Sequence, residues 1–237
     1  MKIAVWSGPR NISTALMYSF AQRKDFAAID EPFYAAYLSI TGLDHPMRGD
    51  VIASQSTNPM RVIERLTGDP FENKPHVYQK HMTQHMVPSI PRKWMTDVIN
   101  VFLIRHPTRV VASFAQKYNH PTQDDIGFQK QTELFRYLCD LGQTPVVINS
   151  FDIRQSPRKT LGKLCKAVGL KFDPIMLRWS AGGMPCDGIW AKYWYGAVHL
   201  STGFDKPEGP LPSLDGPLKS LAESAFHHYE FMMEFCI

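Results

Sequence analysis

The sequence predicts an α/β fold in three layers, with a mostly parallel central sheet flanked by helices on both faces. Two observations carry this. Short apolar runs at residues 3–6, 27–29, 76–79, 98–104 and 145–149 alternate with longer stretches whose apolar residues recur every three or four positions. The last two runs are too apolar to face water on either side, as strands covered by helices on both faces are. With 237 residues, 44% of them hydrophobic, the chain is long enough for one sizeable core, so a single domain over residues 1–237 is expected.

Taken in order, the first strand (3–6) runs into SGPRNISTAL, where a helix over 13–23 opens with Ser13 and Thr14, residues that cap free N–H groups. The second strand, 27–29, leads into Asp30-Glu31-Pro32. Spacing predicts a helix over 59–66 and then the strand 76–79, which ends in Lys80-His81. The strand 98–104 ends in Arg105-His106-Pro107, and helices are expected over 109–118 and 124–141. The strand 145–149 is followed by a helix over 157–168, and a last helix is expected over 217–235. Residues 201–217 hold four prolines and three glycines, which excludes regular structure throughout and predicts an ordered loop or flap. Residues 41–56 are likewise expected as a variable loop.

Charge and cysteine usage narrow the function. The 26 basic and 22 acidic side chains leave a formal charge of +4, too mild for nucleic acid as the main partner but suited to a compact anionic ligand. Cys139, Cys165, Cys186 and Cys236 show no metal spacing, and His81-x-x-x-His85 lacks both the intervening glutamate of a metalloprotease and a third ligand. No metal is expected. The opening MKIAVWSGPR is too short an apolar stretch for a signal peptide, and no run approaches bilayer length, so a cytoplasmic protein without a membrane partner is expected.

Two constellations point to chemistry. In the first, a strand turns abruptly into a helix N-terminus, which makes an anion site from backbone N–H groups and the helix dipole. Arg10 adds a bidentate cation, and the Ser13 and Thr14 hydroxyls can donate to phosphate or sulfate oxygens. The lysine of the nucleotide-kinase loop is missing, because the one Gly-Lys pair, Gly162-Lys163, lies in a helical segment. In the second, Arg105 stands at a strand's C-terminal end, where open α/β sheets bind ligands, and Ser113 follows eight residues later on the next helix. A plain capped strand-to-helix turn and a solvated strand end are the alternatives.

SGPRNIST followed by FLIRHPTRVVASF resembles the sulfotransferase superfamily, and residues 149–174 resemble it too in their Leu-x-x-Leu-Cys, Val-Gly-Leu and Phe-Asp-Pro pattern. The three matches stand in family order over residues 1–174. The resemblance implies a P-loop NTPase-like fold and a transferase using 3′-phosphoadenosine-5′-phosphosulfate, with adenosine 3′,5′-bisphosphate as product. It further implies that Arg10, Asn11, Ser13 and Thr14, in a loop that includes Ile12, hold the 5′-phosphosulfate, and that Arg105 and Ser113 hold the 3′-phosphate. The sequence departs from the family at Ile12, where a glycine often stands, and at Arg10, where cytosolic members carry lysine. It also lacks their Arg-Lys-Gly segment near the C-terminus.

For the catalytic base there are two candidates at strand ends, Glu31 and His81. Glu31-Pro32 resembles the Glu-Pro of carbohydrate sulfotransferases, while Lys80-His81 resembles the Lys-x-His of cytosolic members with the spacing off by one. Lys80 is a candidate to place charge on the leaving group. Trp190, Tyr193, Trp194 and Tyr195 would wall an acceptor or adenine pocket, with Lys192 reaching phosphate, or serve as core aromatics. The acceptor is expected to be a hydroxyl or amine of a small molecule or sugar. A kinase-like phosphotransferase and a non-catalytic nucleotide-binding relative are the alternatives.

Overall fold

The computed structural model describes residues 1–69, 71–204 and 206–237. Five strands, β1 (Lys2–Ser7), β2 (Phe26–Asp30), β3 (His76–Met82), β4 (Ile99–Ile104) and β5 (Val146–Asn149), form one sheet in the order β2-β3-β1-β4-β5. Every pairing is parallel. The side chains of β1 alternate between two cores: Ile3 and Val5 enter one, Ala4 and Trp6 the other. Across β4 the same alternation sends Val101 and Leu103 to the first face and Phe102 and Ile104 to the second. Burial on both faces explains why these runs read as continuously apolar.

Helices close both faces. In chain order they are α1 (Ser13–Ala21), α2 (Tyr34–Thr41), α3 (Arg48–Ser54), α4 (Pro59–Thr67), α5 (Pro107–Phe114), α6 (Gln123–Ile126), α7 (Phe128–Asp140), α8 (Ser150–Gln155), α9 (Pro157–Ala167), α10 (Ala191–Trp194), α11 (Gly196–His199) and α12 (Gly216–Met233). Leu16, Met17 and Phe20 of α1 pack with Leu161, Leu164 and Cys165 of α9 on the first face. On the second face, Leu134, Phe135 and Leu138 of α7 meet Val62 and Leu66 of α4 and Met232 of α12.

Three expectations change. The helix expected over 124–141 is two, broken at Gly127, whose φ of 72° and close approach to Thr83 Oγ1 admit no side chain. The helix expected over 109–118 is Pro107–Phe114, with proline at its start where the missing N–H is harmless. Residues 41–56 contain α3 rather than loop alone. Residues 201–217 are irregular up to the start of α12, except that Asp205 lies outside the described residues. Among the described residues no helix is long and apolar enough to cross a membrane.

The chain leaves β1 toward β3 and β2 on one side and crosses to β4 and β5 on the other, so the strand order reverses beside β1. Ligands of open α/β sheets sit at such a reversal, outside the C-terminal ends of the strands. The loop after β1 and Arg105 after β4 both lie there.

Candidate active site

One cavity of about 320 Å³ opens at this strand end, lined by residues 9–15 of the loop and α1, by Glu31 and Lys80, by Arg105, Arg154 and Ser113, and by a set of aromatic side chains. The loop is tightly wound. A Cβ on Gly8 would stand 2.4 Å from the Ile126 carbonyl oxygen, so only glycine fits. Arg10 and Ile12 both take left-handed backbone, with φ of 62° and 57°. For Ile12 this costs about 1–2 kcal/mol. Ile12, rather than Ser13, is the residue that precedes α1, and no side chain caps the helix. The first-turn N–H groups therefore face the cavity mouth with no partner inside the helix.

Arg10 Nε donates to Ser113 Oγ at 2.8 Å, and Arg105 Nη1 donates to the Arg10 carbonyl oxygen at 2.6 Å. The two expected anion sites thus form one cationic patch. Asn11 Nδ2 donates to the Leu103 carbonyl at 3.1 Å, which ties the loop to β4. Arg105 also pairs with the Glu208 carboxylate, as do Arg109 at 3.0 Å and Arg154 at 3.1 Å. Burial and its cationic neighbours Arg154 and Arg109 hold the Arg105 guanidinium below its usual range, with Glu208 opposing them. Arg109, Arg154 and Glu208 were not singled out by sequence. The first stands four residues after Arg105, and the other two reach the site only through long-range folding.

The second centre is built on Lys80. Its ammonium donates to Asp30 at 2.9 Å, to Glu31 at 2.5 Å and to the Tyr195 hydroxyl at 2.6 Å, which uses all three of its protons. Asp30 is further held by the Tyr195 hydroxyl at 2.8 Å and the Gly188 N–H at 3.0 Å. Burial would lower the Lys80 pKa, but the two carboxylates outweigh it and keep the ammonium charged. Burial raises Glu31, assisted by Asp30 and opposed by Lys80, so its carboxyl lies above the usual range. Glu31 also stands at φ 41°, an uncommon conformation for a residue with a side chain, in the turn where its N–H extends the ladder to the Lys80 carbonyl at 2.9 Å.

His81 is placed elsewhere. Successive side chains of β3 point to opposite faces, so Lys80 at the cavity sends His81 to the other face. There its ring stacks on Trp6 with centroids 4.3 Å apart, and burial followed by the Lys80 charge lowers its pKa to about 3. His85 is the histidine that lines the cavity. It is stacked between Tyr34 and Tyr37, with centroids 4.7 Å from each, and its Nε2 is 4.0 Å from Glu31 Oε2. Of the late aromatics, Trp194 and Tyr195 line the cavity, Trp190 is buried behind Tyr195, and Tyr193 is exposed.

A family model described as "Sulfotransferase domain" matches residues 1–235. Among curated proteins, the chain is 37% identical over 203 residues to "Branched-chain-amino-acid aminotransferase-like protein 1" of Arabidopsis thaliana, covering 86% of this chain and 36% of that protein. It is 34% identical over 206 residues to "Branched-chain-amino-acid aminotransferase-like protein 2" of the same plant, covering 87% of this chain and 36% of that one. The chain thus spans about a third of the length of these relatives. Among solved structures, the "Sulfotransferase Domain from the Curacin Biosynthetic Pathway" superposes with a TM-score of 0.55 at 16% identity, covering 97% of each chain. A sulfotransferase from Alicyclobacillus acidocaldarius gives 0.55 at 10% identity, covering 100% of this chain and 96% of that one. These two likenesses show a shared fold, the three-layer, P-loop NTPase-like architecture.

Proposed function

The chain belongs to the sulfotransferase family, and from that premise we propose that it moves a sulfuryl group from 3′-phosphoadenosine-5′-phosphosulfate to a hydroxyl or amine of a small molecule or sugar. The observation that carries the reading is the single cavity joining the Arg10–Arg105–Ser113 patch to the Glu31–Lys80 pair.

The residues fit such a nucleotide. Arg105 Nε and Asn11 Oδ1 are buried beside the loop without a hydrogen-bond partner among the described residues, and buried polar groups ordinarily have one. Arg105, Arg109 and Arg154 already gather around one carboxylate, as they would around a phosphate. In this reading Arg10, the hydroxyls of Ser13 and Thr14, and the N–H groups of the loop from Asn11 through Ile12 into α1 hold the 5′-phosphosulfate oxygens. Arg105 and Ser113 hold the 3′-phosphate, which requires Ser113 to part from Arg10 and Arg105 to part from Glu208.

The bound nucleotide supplies a sulfuryl group whose bond to the 5′-phosphate breaks as the acceptor oxygen or nitrogen bonds to sulfur, leaving adenosine 3′,5′-bisphosphate. Glu31 takes the acceptor's proton and later returns it to solvent. Lys80, with its three protons engaged, holds Glu31 in place and keeps its charge balanced. Arg10 and the helix dipole of α1 stabilise the negative charge that grows on the leaving phosphate.

The test is mass-spectrometric detection of adenosine 3′,5′-bisphosphate formed from the phosphosulfate nucleotide in the presence of mixed small alcohols, amines and monosaccharides. The reading expects turnover that Arg105→Ala weakens through KM. Consumption of ATP with magnesium, and none of the phosphosulfate, would replace it with phosphoryl transfer.

A further inference from the structure

The aromatic part of the cavity lining has the opposite character. Tyr34 and Tyr37 of α2 form one wall with His85 between them, and the Tyr34 hydroxyl meets His45 Nδ1 at 3.0 Å. Phe114, Tyr118 and Trp194 form another, with the Phe114 ring parallel to Tyr118 at 5.3 Å and facing Trp194 at 6.5 Å. All of these side chains line the cavity.

The charge in this chamber is negative. Asp125 lines it, and its field reaches both walls: burial and then Asp125 raise the Tyr37 phenol to about 12 and lift Tyr118 in the same direction. Asp125 Oδ2 accepts from the Thr122 N–H at 2.8 Å and hydroxyl at 2.7 Å, which fixes the carboxylate in place and leaves Oδ1 outside that pairing. Asp44 adds to the field at Tyr118 and His45. Of the cations that line the same cavity, Lys80 has its protons committed to Asp30, Glu31 and Tyr195, and Arg10 donates to Ser113, the residue before Phe114.

The unpaired polar atoms agree with the charge. Gln84 Oε1 and His85 Nδ1 are buried at the cavity without a hydrogen-bond partner among the described residues. A carbonyl oxygen can only accept, and burial holds His85 in its neutral form, with one ring nitrogen an acceptor. Aromatic faces, a fixed carboxylate and the lone pairs of these acceptors all present negative potential, which favours a compact cation. An anionic acceptor would be repelled here.

We propose that the acceptor is a small alcohol bearing an ammonium group, seated between the Tyr34–Tyr37 and Tyr118–Trp194 faces beside Asp125, with its hydroxyl toward Glu31. This rests on the sulfotransferase reading of the same site. It divides the cavity electrostatically: arginines receive the anionic donor, and aromatic rings with a carboxylate receive the cationic acceptor.

The experiment is a calorimetric titration of the whole chain with choline, with tetramethylammonium, and with the neutral isostere of choline in which carbon replaces the quaternary nitrogen. Choline is expected to bind about tenfold or more tighter than its isostere, the difference a desolvated cation–π site produces. Asp125→Asn and Tyr37→Leu are each expected to reduce choline affinity several-fold while leaving adenosine 3′,5′-bisphosphate binding unchanged, which also verifies that the variants fold. Equal affinity for choline and its isostere, or bisphosphate binding with no response to either cation, would overturn the proposal. Cation binding without bisphosphate binding would uphold the cationic chamber and remove the donor reading instead.

Discussion

Glu31 combines a left-handed backbone, deep burial and a hydrogen bond from Lys80, and its carboxyl is raised above the ordinary value by burial first and by Asp30 in addition. A base must be deprotonated to act, so a raised pKa moves the loss of activity on acidification upward. The acid limb of kcat/KM is expected above about pH 4.3, the unperturbed glutamate value. Glu31→Gln is expected to lower kcat by roughly 10²–10⁴-fold with bisphosphate affinity retained. A variant with unchanged kcat would remove Glu31 from proton transfer. Lys80 belongs to the same argument through stability. Replacing it with methionine strands Asp30 and Glu31 in a buried site, at a cost of about 3–5 kcal/mol. Thermal unfolding should register this as a fall of roughly 10 °C in Tm; a fall of a degree or two would mean that the pair gains little from the lysine. At this scale the sequence was half legible. It brought Glu31, Lys80 and His81 forward as neighbours of the strand ends, but the choice between Glu31, which follows β2, and His81 depends on which face of β3 the His81 side chain takes. Alternation along the strand decides that only once Lys80 is placed.

The elements divide into those with a local signal and those without. The turns from β1 into α1 and from β4 into α5 each announce themselves within a dozen residues, through apolar runs, Gly8, the Ser-Thr pair and Pro107. Helix α2 gave no such sign, because Tyr34, Ala35, Ala36, Tyr37 and Leu38 are all buried and leave no polar face for a periodic pattern. Yet α2 supplies an aromatic wall of the site. The irregular segment before α12 was legible as a loop from its prolines and glycines, while its role was not. Glu208, carried on that loop, engages the same guanidinium that is proposed to hold the 3′-phosphate. Glu208→Gln removes an internal anion that competes with the nucleotide, so affinity for adenosine 3′,5′-bisphosphate is expected to rise several-fold, with AMP binding little changed. Equal or weaker bisphosphate binding would mean that Glu208 orients the arginines rather than competing for them.

Across the whole molecule, the site is assembled from contacts that span much of the chain. Arg10 reaches Ser113 across 103 positions, Arg105 reaches Glu208 across another 103, and Lys80 reaches Tyr195 across 115. Strand runs and resemblance placed the first pair near one sheet edge, because both residues follow strands that end there. Nothing in local pattern joined Lys80 to Tyr195 or Arg154 to Glu208, since those meetings depend on how the loops after β5 fold back over the strand ends. The account's central claim is that this assembled edge reads a nucleotide by its 3′-phosphate. Calorimetric titration of adenosine 3′,5′-bisphosphate against ADP, with the native chain, Arg10→Ala and Arg105→Ala, tests that claim most directly. The account expects the bisphosphate to bind more tightly than ADP and both variants to lose the preference; equal affinity for the two nucleotides in the native chain would contradict it.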